Sequence, residues 1–342
     1  MDREALKKAL LELSQKDRES LIKEVEKVNS VHEFVLMNHR AKLDNKQGQC
    51  PHCGSYKYSK FGIDKGSKRY RCKNCKRTFT EYTGTWLSKI HKKELAGDYL
   101  KLMNEEKSLD KIKVIININK KTAFDWRHKI LSGVENSGKG TFQGITESDE
   151  TFFLISEKGK KLTTRSPRKR GGNAKKRGIS DEQIAVIVTA DRLSEMDMTV
   201  ACRGRIKKID IQNAIGQRVS EQTILCSDSH VSYKGFAIDK KIEHHAIRAD
   251  LKQHIKNKIY HVQHVNSIDS RVKRWIEARF MGVSTKYLQK YMNWFRLKEM
   301  LKGSAKLVED FTSQSLENIN AWNSFKAIPC EYHKLLQFST PN

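Results

Sequence analysis

The chain has 342 residues, enough for two or three folded units, one of them with a sizeable core. Lysine and arginine total 66 against 40 aspartate and glutamate, and a formal net charge of +26 demands a polyanionic partner, nucleic acid before a membrane surface. No apolar run reaches transmembrane length and MDREALKKAL opens no signal-peptide core, so membrane and exported classes are set aside and a cytoplasmic, nucleoid-associated location is expected.

Residues 1–45 place Leu6, Leu10 and Leu13, then Leu21, Val25 and Val28, at helical spacing among charges. Two short amphipathic helices are predicted, the second capped by the Ser14 hydroxyl. Residues 46–84 hold Cys50-Pro-His-Cys53 and Cys72-Lys-Asn-Cys75, with Tyr56, Tyr58, Phe61 and Tyr70 between the pairs. Each C-x-x-C lets a tight knuckle present two thiolates, and two knuckles close the tetrahedral shell of a structural Zn2+ site, a zinc ribbon. A redox pair would need no second pair and would sit in a βαβ pattern, which neither pair has. His52 inside the first knuckle is read as a bystander, and Cys202, Cys226 and Cys330 as packed thiols.

From 90 to 131 the pattern is helical again: Leu95, Tyr99, Leu102 and Met103 mark one helix, Ser108 caps a second through Ile115, and Asn119 caps a third. Three short helices with a tight turn predict a helix-turn-helix, with Lys120, Lys121, Thr122, Arg127 and Lys129 on the DNA-facing side of the last helix and Phe124 and Trp126 partly buried. Residues 132–141 are polar and glycine-bearing, the composition of a linker.

Apolar strand-like runs at Ile145–Ile155, Ile184–Thr189 and Thr223–Cys226, with helical segments between and after, give a mixed α/β unit over 142–305. Inside it, 157–178 is a basic loop without apolar periodicity, and Arg168, Lys169, Arg170, Lys175, Lys176 and Arg177 are expected to neutralise DNA phosphates. The aromatic stretch Val283–Leu301 reads as core helix, and 306–342 as a C-terminal tail.

Two aspartates stand at or near the ends of apolar strands: Asp149 in ITESDETFF and Asp228 in TILCSDSH. On neighbouring strands such carboxylates can share divalent cations at a phosphodiester. In HVNSIDSRVKRW a helix brings Asn266, Asp269 and Lys273 to one face, where they can meet the two aspartates. Strand alternation points Glu150 away from Asp149 and keeps Glu147 on its face as an outer group, although a structural role is the default for both. Tyr233 and Lys234 are placed to touch a DNA backbone, with packing the simpler role for Tyr233.

These motifs, from the CPHC and CKNC ribbon through KKTAFDWRHKIL to ESDETFF, SDSHVSYKGF, HVNSIDSRVKRW and FMGVSTKYLQKYMNWF, resemble the DDE insertion-sequence transposases of the ISXO2-like group along nearly the whole chain. The resemblance implies an α+β multidomain protein in which N-terminal helices, zinc ribbon and helix-turn-helix precede an RNase H-like catalytic domain. It implies binding of an element's terminal inverted repeats, divalent-metal-dependent cleavage and strand transfer, double-stranded DNA as partner, and a homo-oligomer on DNA. Asp149 and Asp228 become ligands of Mg2+ or Mn2+. At the third position the group carries Glu or Asn with Lys seven residues on; Asn266 followed by Lys273 fits, whereas Ile276 stands at that offset from Asp269. Asp149, Asp228 and Asn266 are therefore the expected metal set, Lys273 a DNA contact, and Asp269 an added charge or the alternative third ligand. Two rivals are a zinc-ribbon regulator with an inactive RNase H-like domain and a nuclease of the same fold; short inverted repeats flanking the gene would favour a transposase over both.

Overall fold

β5 (Gln183–Asp191) explains the architecture, because almost every residue in it is buried and its side chains alternate between two separate cores. Ile184, Val186 and Val188 face one side, Ala185 and Ile187 the other, as the two-residue period of a strand requires. A strand buried on both faces must lie inside a sheet covered on both sides.

The structure is a computed structural model that describes residues 3–28, 31–64, 66–135, 139–159, 172, 174–248, 251–252 and 254–337. Three helices come first, α1 (Arg3–Glu12), α2 (Gln15–Val28) and α3 (Val31–Asp44). The sequence predicted two. The third escaped because its apolar residues Phe34, Val35, Leu36 and Met37 are consecutive, a run with no 3.6-residue period. Ser14 accepts a hydrogen bond from the Asp17 amide at 3.2 Å, the expected cap.

A three-stranded antiparallel sheet follows, β1 (Tyr58–Asp64), β2 (Ser67–Cys72) and β3 (Thr78–Phe79). Tyr58, Tyr70 and Phe79 pack beneath it, and the Tyr58 hydroxyl donates to Leu43 O of α3 at 3.0 Å. Next come α4 (Ala96–Asn104), α5 (Leu109–Ile115) and α6 (Lys120–Gly133). Ser108 and Asn119 cap α5 and α6 by accepting from the amides of Lys111 and Thr122.

The large sheet comprises β4 (Phe142–Leu154), β5, β6 (Met196–Arg203), β7 (Val219–Asp228) and β8 (Glu243–Ile247), in the order β6-β5-β4-β7-β8. β4 is central, antiparallel to β5 and parallel to β7. One face is covered by α7 (Lys208–Ile215) and α8 (Val231–Lys240), through Ile211, Tyr233 and Phe236. The other is covered by α9 (Gln263–Phe280) and α10 (Leu288–Met300), through Val265, Ile268, Val272 and Met292. α10 is the aromatic helix expected in the core: Tyr291, Trp294 and Phe295 are buried, and Trp275 of α9 meets Trp294 edge-on at 5.3 Å.

Two places depart from the modular reading. Residues 306–342, expected as a tail, contain α11 (Leu307–Glu317) and α12 (Ala321–Gln337), which pack on α3, α4 and α6. Ser132, Gly133 and Val134, expected in a linker, are fully or almost fully buried, the first two completing α6 against α11. The helices before the linker and the sheet after it share one apolar core. Composition misled here because Ser and Gly serve close packing: a Cβ on Gly133 would lie 2.3 Å from Ser315 O and 3.0 Å from the Trp86 ring. Gly133→Ala is therefore expected to destabilise the chain by about 2 kcal/mol by overpacking, against a helix-propensity gain of about 1 kcal/mol. Thermal unfolding checks this, and an unchanged or higher melting temperature would show that α11 can shift without cost.

Candidate active site and metal centre

The parallel pairing of β4 with β7 builds the site. Glu147 lies opposite Cys226, so two residues further on Asp149 and Asp228 stand side by side on adjacent strands. Asp228 ends β7 as expected, whereas Asp149 sits in the middle of β4, whose antiparallel ladder with β5 continues to Leu154. Asp228 is fixed by its turn: its Oδ1 accepts the His230 amide at 3.0 Å. Asp149 Oδ1 accepts the amide of Glu150 at 2.8 Å.

Carboxylate oxygens of Asp149, Glu150 and Asp228 come within 4.8 Å of one another. Glu150 starts from the opposite face of β4, as alternation requires, on the side where Ser148 meets the Tyr233 hydroxyl, yet its carboxylate joins the cluster. A sequence argument based on direction alone overlooks it, because direction ignores the reach of the longer side chain. Tyr233 is fully buried and packs, whereas Lys234 is exposed.

α9 lies across this face of β4. Asp269 is buried, with Oδ1 unpartnered among the described residues. Asn266 is exposed, and among the described residues its hydrogen bonds are those of its backbone, its amide donating to Val262 O and its carbonyl accepting from Ser270. The structure thus turns Asp269, rather than Asn266, toward Asp149. The sequence carried this signal: Asp269 falls within the buried stripe Val265, Ile268, Val272 and Ile276, and Asn266 lies outside it. Lys273 is exposed one turn further along.

Crowding shows in the proton affinities. Burial, opposed by the Glu150 amide and reinforced by Asp228, pushes the Asp149 carboxyl up to about 6. Burial and then Asp149 push Asp269 up to about 7, with Lys273 opposing. Burial followed by Asp149 and Asp228 pushes Glu150 up to about 8. Unpartnered oxygens on Asp269 and Glu150 beside two aspartates are a donor set suited to a hard divalent cation.

The four ribbon cysteines form a second candidate centre. Their sulfurs lie within 4.8 Å of one another, with Cys50 to Cys75 at 3.8 Å and Cys53 to Cys72 at 3.6 Å. Thiolates bound tetrahedrally at a Zn–S distance of about 2.3 Å would stand about 3.8 Å apart, so the geometry fits. His52 is outside the cluster, its Nε2 lying 3.2 Å from Thr78 O.

The expected DNA-facing residues divide. Lys120, Lys121 and Thr122 lie in the first turn of α6, the two lysines exposed and Lys120 paired with Asp110 at 2.9 Å. Arg127 is buried instead: it donates to Lys107 O and its guanidinium lies over Phe280 and Trp294. Lys129 is half-buried, donating to Lys89 O and lying over Trp322 and Phe325. α12 covers that end of the helix, which the sequence of α6 alone does not reveal. Lys175, Lys176 and Arg177 are exposed, while Arg168, Lys169 and Arg170 lie outside the described residues. Among the described residues no helix is long and apolar enough to cross a membrane.

Comparison with known proteins finds similarity over the part of the chain that holds this site. Residues 141–299 match the family described as ISXO2-like transposase domain, and the matched stretch contains Asp149, Glu150, Asp228 and Asp269. An uncharacterized protein in the transposable element ISH50 of Halobacterium salinarum is 24% identical over 261 residues, covering 73% of this chain and 84% of the relative. Two solved Mos1 assemblies also match: a pre-cleavage transpososome at 8% identity, covering 65% of this chain and 78% of the other, and a strand transfer complex at 11%, covering 69% and 76%. Their TM-score of 0.21 is no global likeness.

The raised carboxyls set a pH dependence. Unfolded, they ionise near pH 4, so the folded protein without divalent cation holds extra protons, and this contribution is complete below that value and lost as pH rises through about 6 to 8. Stability without added divalent cation should therefore fall from pH 5 to 8. Asp269→Asn should flatten the fall and stabilise the protein at pH 8 by roughly 1–3 kcal/mol. Denaturant titrations at both pH values decide it, and a variant with the wild-type slope would mean that Asp269 is not crowded.

Proposed function

We propose that the chain is a DNA transposase of the DDE type, and that Asp149, Asp228 and Asp269 are its catalytic carboxylates. The observation that carries this reading is the convergence of Asp269 on α9 with two aspartates on adjacent parallel strands, inside the matched transposase domain. The strand order, with β4 central, antiparallel to β5 and parallel to β7, supports an RNase H-like catalytic unit.

The expected substrate is double-stranded DNA at the ends of an insertion element. A divalent cation, Mg2+ or Mn2+, held by these oxygens would supply Lewis-acid stabilisation and an activated oxygen at the scissile phosphodiester. Asp149 and Asp228 fix that point from the sheet, and Asp269 closes it from the helix. Lys273, exposed beside them, is set to meet the phosphate backbone. Hydrolysis releases a 3′-hydroxyl that then attacks target DNA, and the protein need form no covalent bond. Two copies, one on each end, are the expected assembly.

Helices α4 to α6 are the proposed helix-turn-helix. A cleft of about 440 Å³ beside the first turn of α6, lined by Lys89, His91, Lys92, Asn119, Thr122 and Lys129, supports a backbone contact there. The exposed Lys175, Lys176 and Arg177 extend the basic surface. Zn2+ in the four-cysteine centre would fix the ribbon against α3.

On a labelled duplex carrying the element's ends, the wild type should cut and join strands with Mg2+. Asp149→Asn, Asp228→Asn and Asp269→Asn should each lose at least about 100-fold, whereas Asn266→Ala should stay within about threefold, since its side chain is exposed outside the buried stripe of α9 that carries Asp269. Loss in Asn266→Ala with activity kept in Asp269→Asn would return the third position to Asn266. End binding without any cutting would make the chain a DNA-binding regulator. Elemental analysis should find one zinc per chain, lost in Cys53→Ser together with ribbon protection against proteolysis; retention of zinc in that variant would remove the ribbon assignment.

A further inference from the structure

Two residues before Asp149, and on the same face of β4, Glu147 is wholly buried and carries a negative charge that the catalytic cluster does not use. Its oxygens collect donors from two other parts of the chain. The His264 amide donates to Oε2 at 2.9 Å; His264 Nδ1 lies 2.9 Å and His261 Nδ1 3.2 Å from Oε1. Arg192, in the turn between β5 and β6, lies 3.5 Å from Oε1 and also donates to Ile259 O at 2.5 Å.

A carboxylate with two histidines invites a metal reading, since their donor atoms lie within 4.8 Å of one another. Arg192 argues against it. Its Nη2 is 3.5 Å from Glu147 Oε1 and 3.1 Å from His261 Nε2, so a guanidinium, which only donates and keeps its positive charge, already occupies the place beside these donors that a cation would take.

The arrangement has a different use. α9 is 18 residues long and no side chain of its own N-cap satisfies its first amides. Glu147 accepts one of them, the His264 amide, from β4, placing a carboxylate at the positive end of the helix dipole. We infer that Glu147 is a positioning residue: it caps α9 from β4 and so sets the helix over the sheet in the one register that brings Asp269 to Asp149. His264 and Asp269 are five residues apart, about 7.5 Å along the axis at the helical rise, so the capped turn and the carboxyl move as one piece. The catalytic consequence rests on the transposase reading; the cap does not.

The test uses the full zinc-loaded chain, with Mn2+ binding followed by electron paramagnetic resonance and cleavage of end DNA in parallel. Glu147→Gln should raise the half-saturating Mn2+ concentration about tenfold or more, the usual effect of losing an outer-shell partner, and slow cleavage while leaving affinity for end DNA unchanged. His264→Ala, which keeps the backbone donor, should show a smaller effect in the same direction. Val272→Ala, a core substitution in the same helix, should lower the melting temperature with half-saturation within about twofold, separating position from stability. Wild-type Mn2+ affinity in Glu147→Gln would overturn the inference. So would a second zinc per chain that Glu147→Gln removes. Should Asp149→Asn bind Mn2+ like wild type, the metal reading of the cluster is what fails. Amide exchange of residues 264–269 then decides the cap: faster exchange in Glu147→Gln supports it, and unchanged exchange overturns it.

Discussion

Like charges brought together out of water are the constraint on which the rest of this structure depends. Asp149 and Asp228 are fixed next to one another by a parallel ladder, and Glu150 and Asp269 are added from two further directions. Asp149, Glu150 and Asp269 hold their protons more tightly than they would in water, with burial as the first cause in all three. Such a cluster persists only if the elements carrying it cannot move apart. The covering of the sheet on both faces, by α7 and α8 on one side and α9 and α10 on the other, supplies that restraint.

The net charge of +26 belongs to the same arrangement. Within the site the positive groups are few, and Lys273, the nearest on α9, is exposed. Cationic side chains instead occupy the surface, along the first turn of α6 and at 175–177. A polyanion would be drawn to the protein by the surface while the site stays negative enough to retain a divalent cation. A lysine inside the cluster would compete with a divalent cation for the same oxygens, and the separation of the two signs avoids that competition.

Sequence reasoning succeeded where the needed information is local. The C-x-x-C pairs encode a ligand geometry within four residues, and Ser108 and Asn119 cap their helices from immediately adjacent positions. It failed where the partner is distant. Arg127 reads as a surface cation until Phe280 and Trp294 are known to lie beneath it, and 132–134 reads as linker until α11 is placed against it. The third position of the proposed site lies between these cases. Asn266 and Asp269 share a face at coarse resolution, and only the buried stripe through Val265, Ile268 and Val272 separates them. Weighing that stripe against the spacing to Lys273 would have favoured Asp269. Spacing to a neighbour within one helix says less about a site than the side from which that helix is buried.

The shared core ties the helices before 132 to the carboxylate cluster more closely than a chain of modules would. The Trp86 indole donates to Ser315, α12 lies on α6, and Arg127 reaches from α6 to the aromatic residues of α9 and α10. α9 collects both connections. At its first turn it is held by Glu147 from the sheet. Near its far end Glu106, in the turn after α4, accepts from the Trp275 indole at 2.7 Å and pairs with Arg279 at 2.7 Å and with Lys298. One carboxylate comes from the large sheet and the other from the helices that precede it, and the helix between them carries Asp269. Glu106 therefore joins the turn after α4 directly to the helix that carries Asp269, without passing through the stretch 132–141.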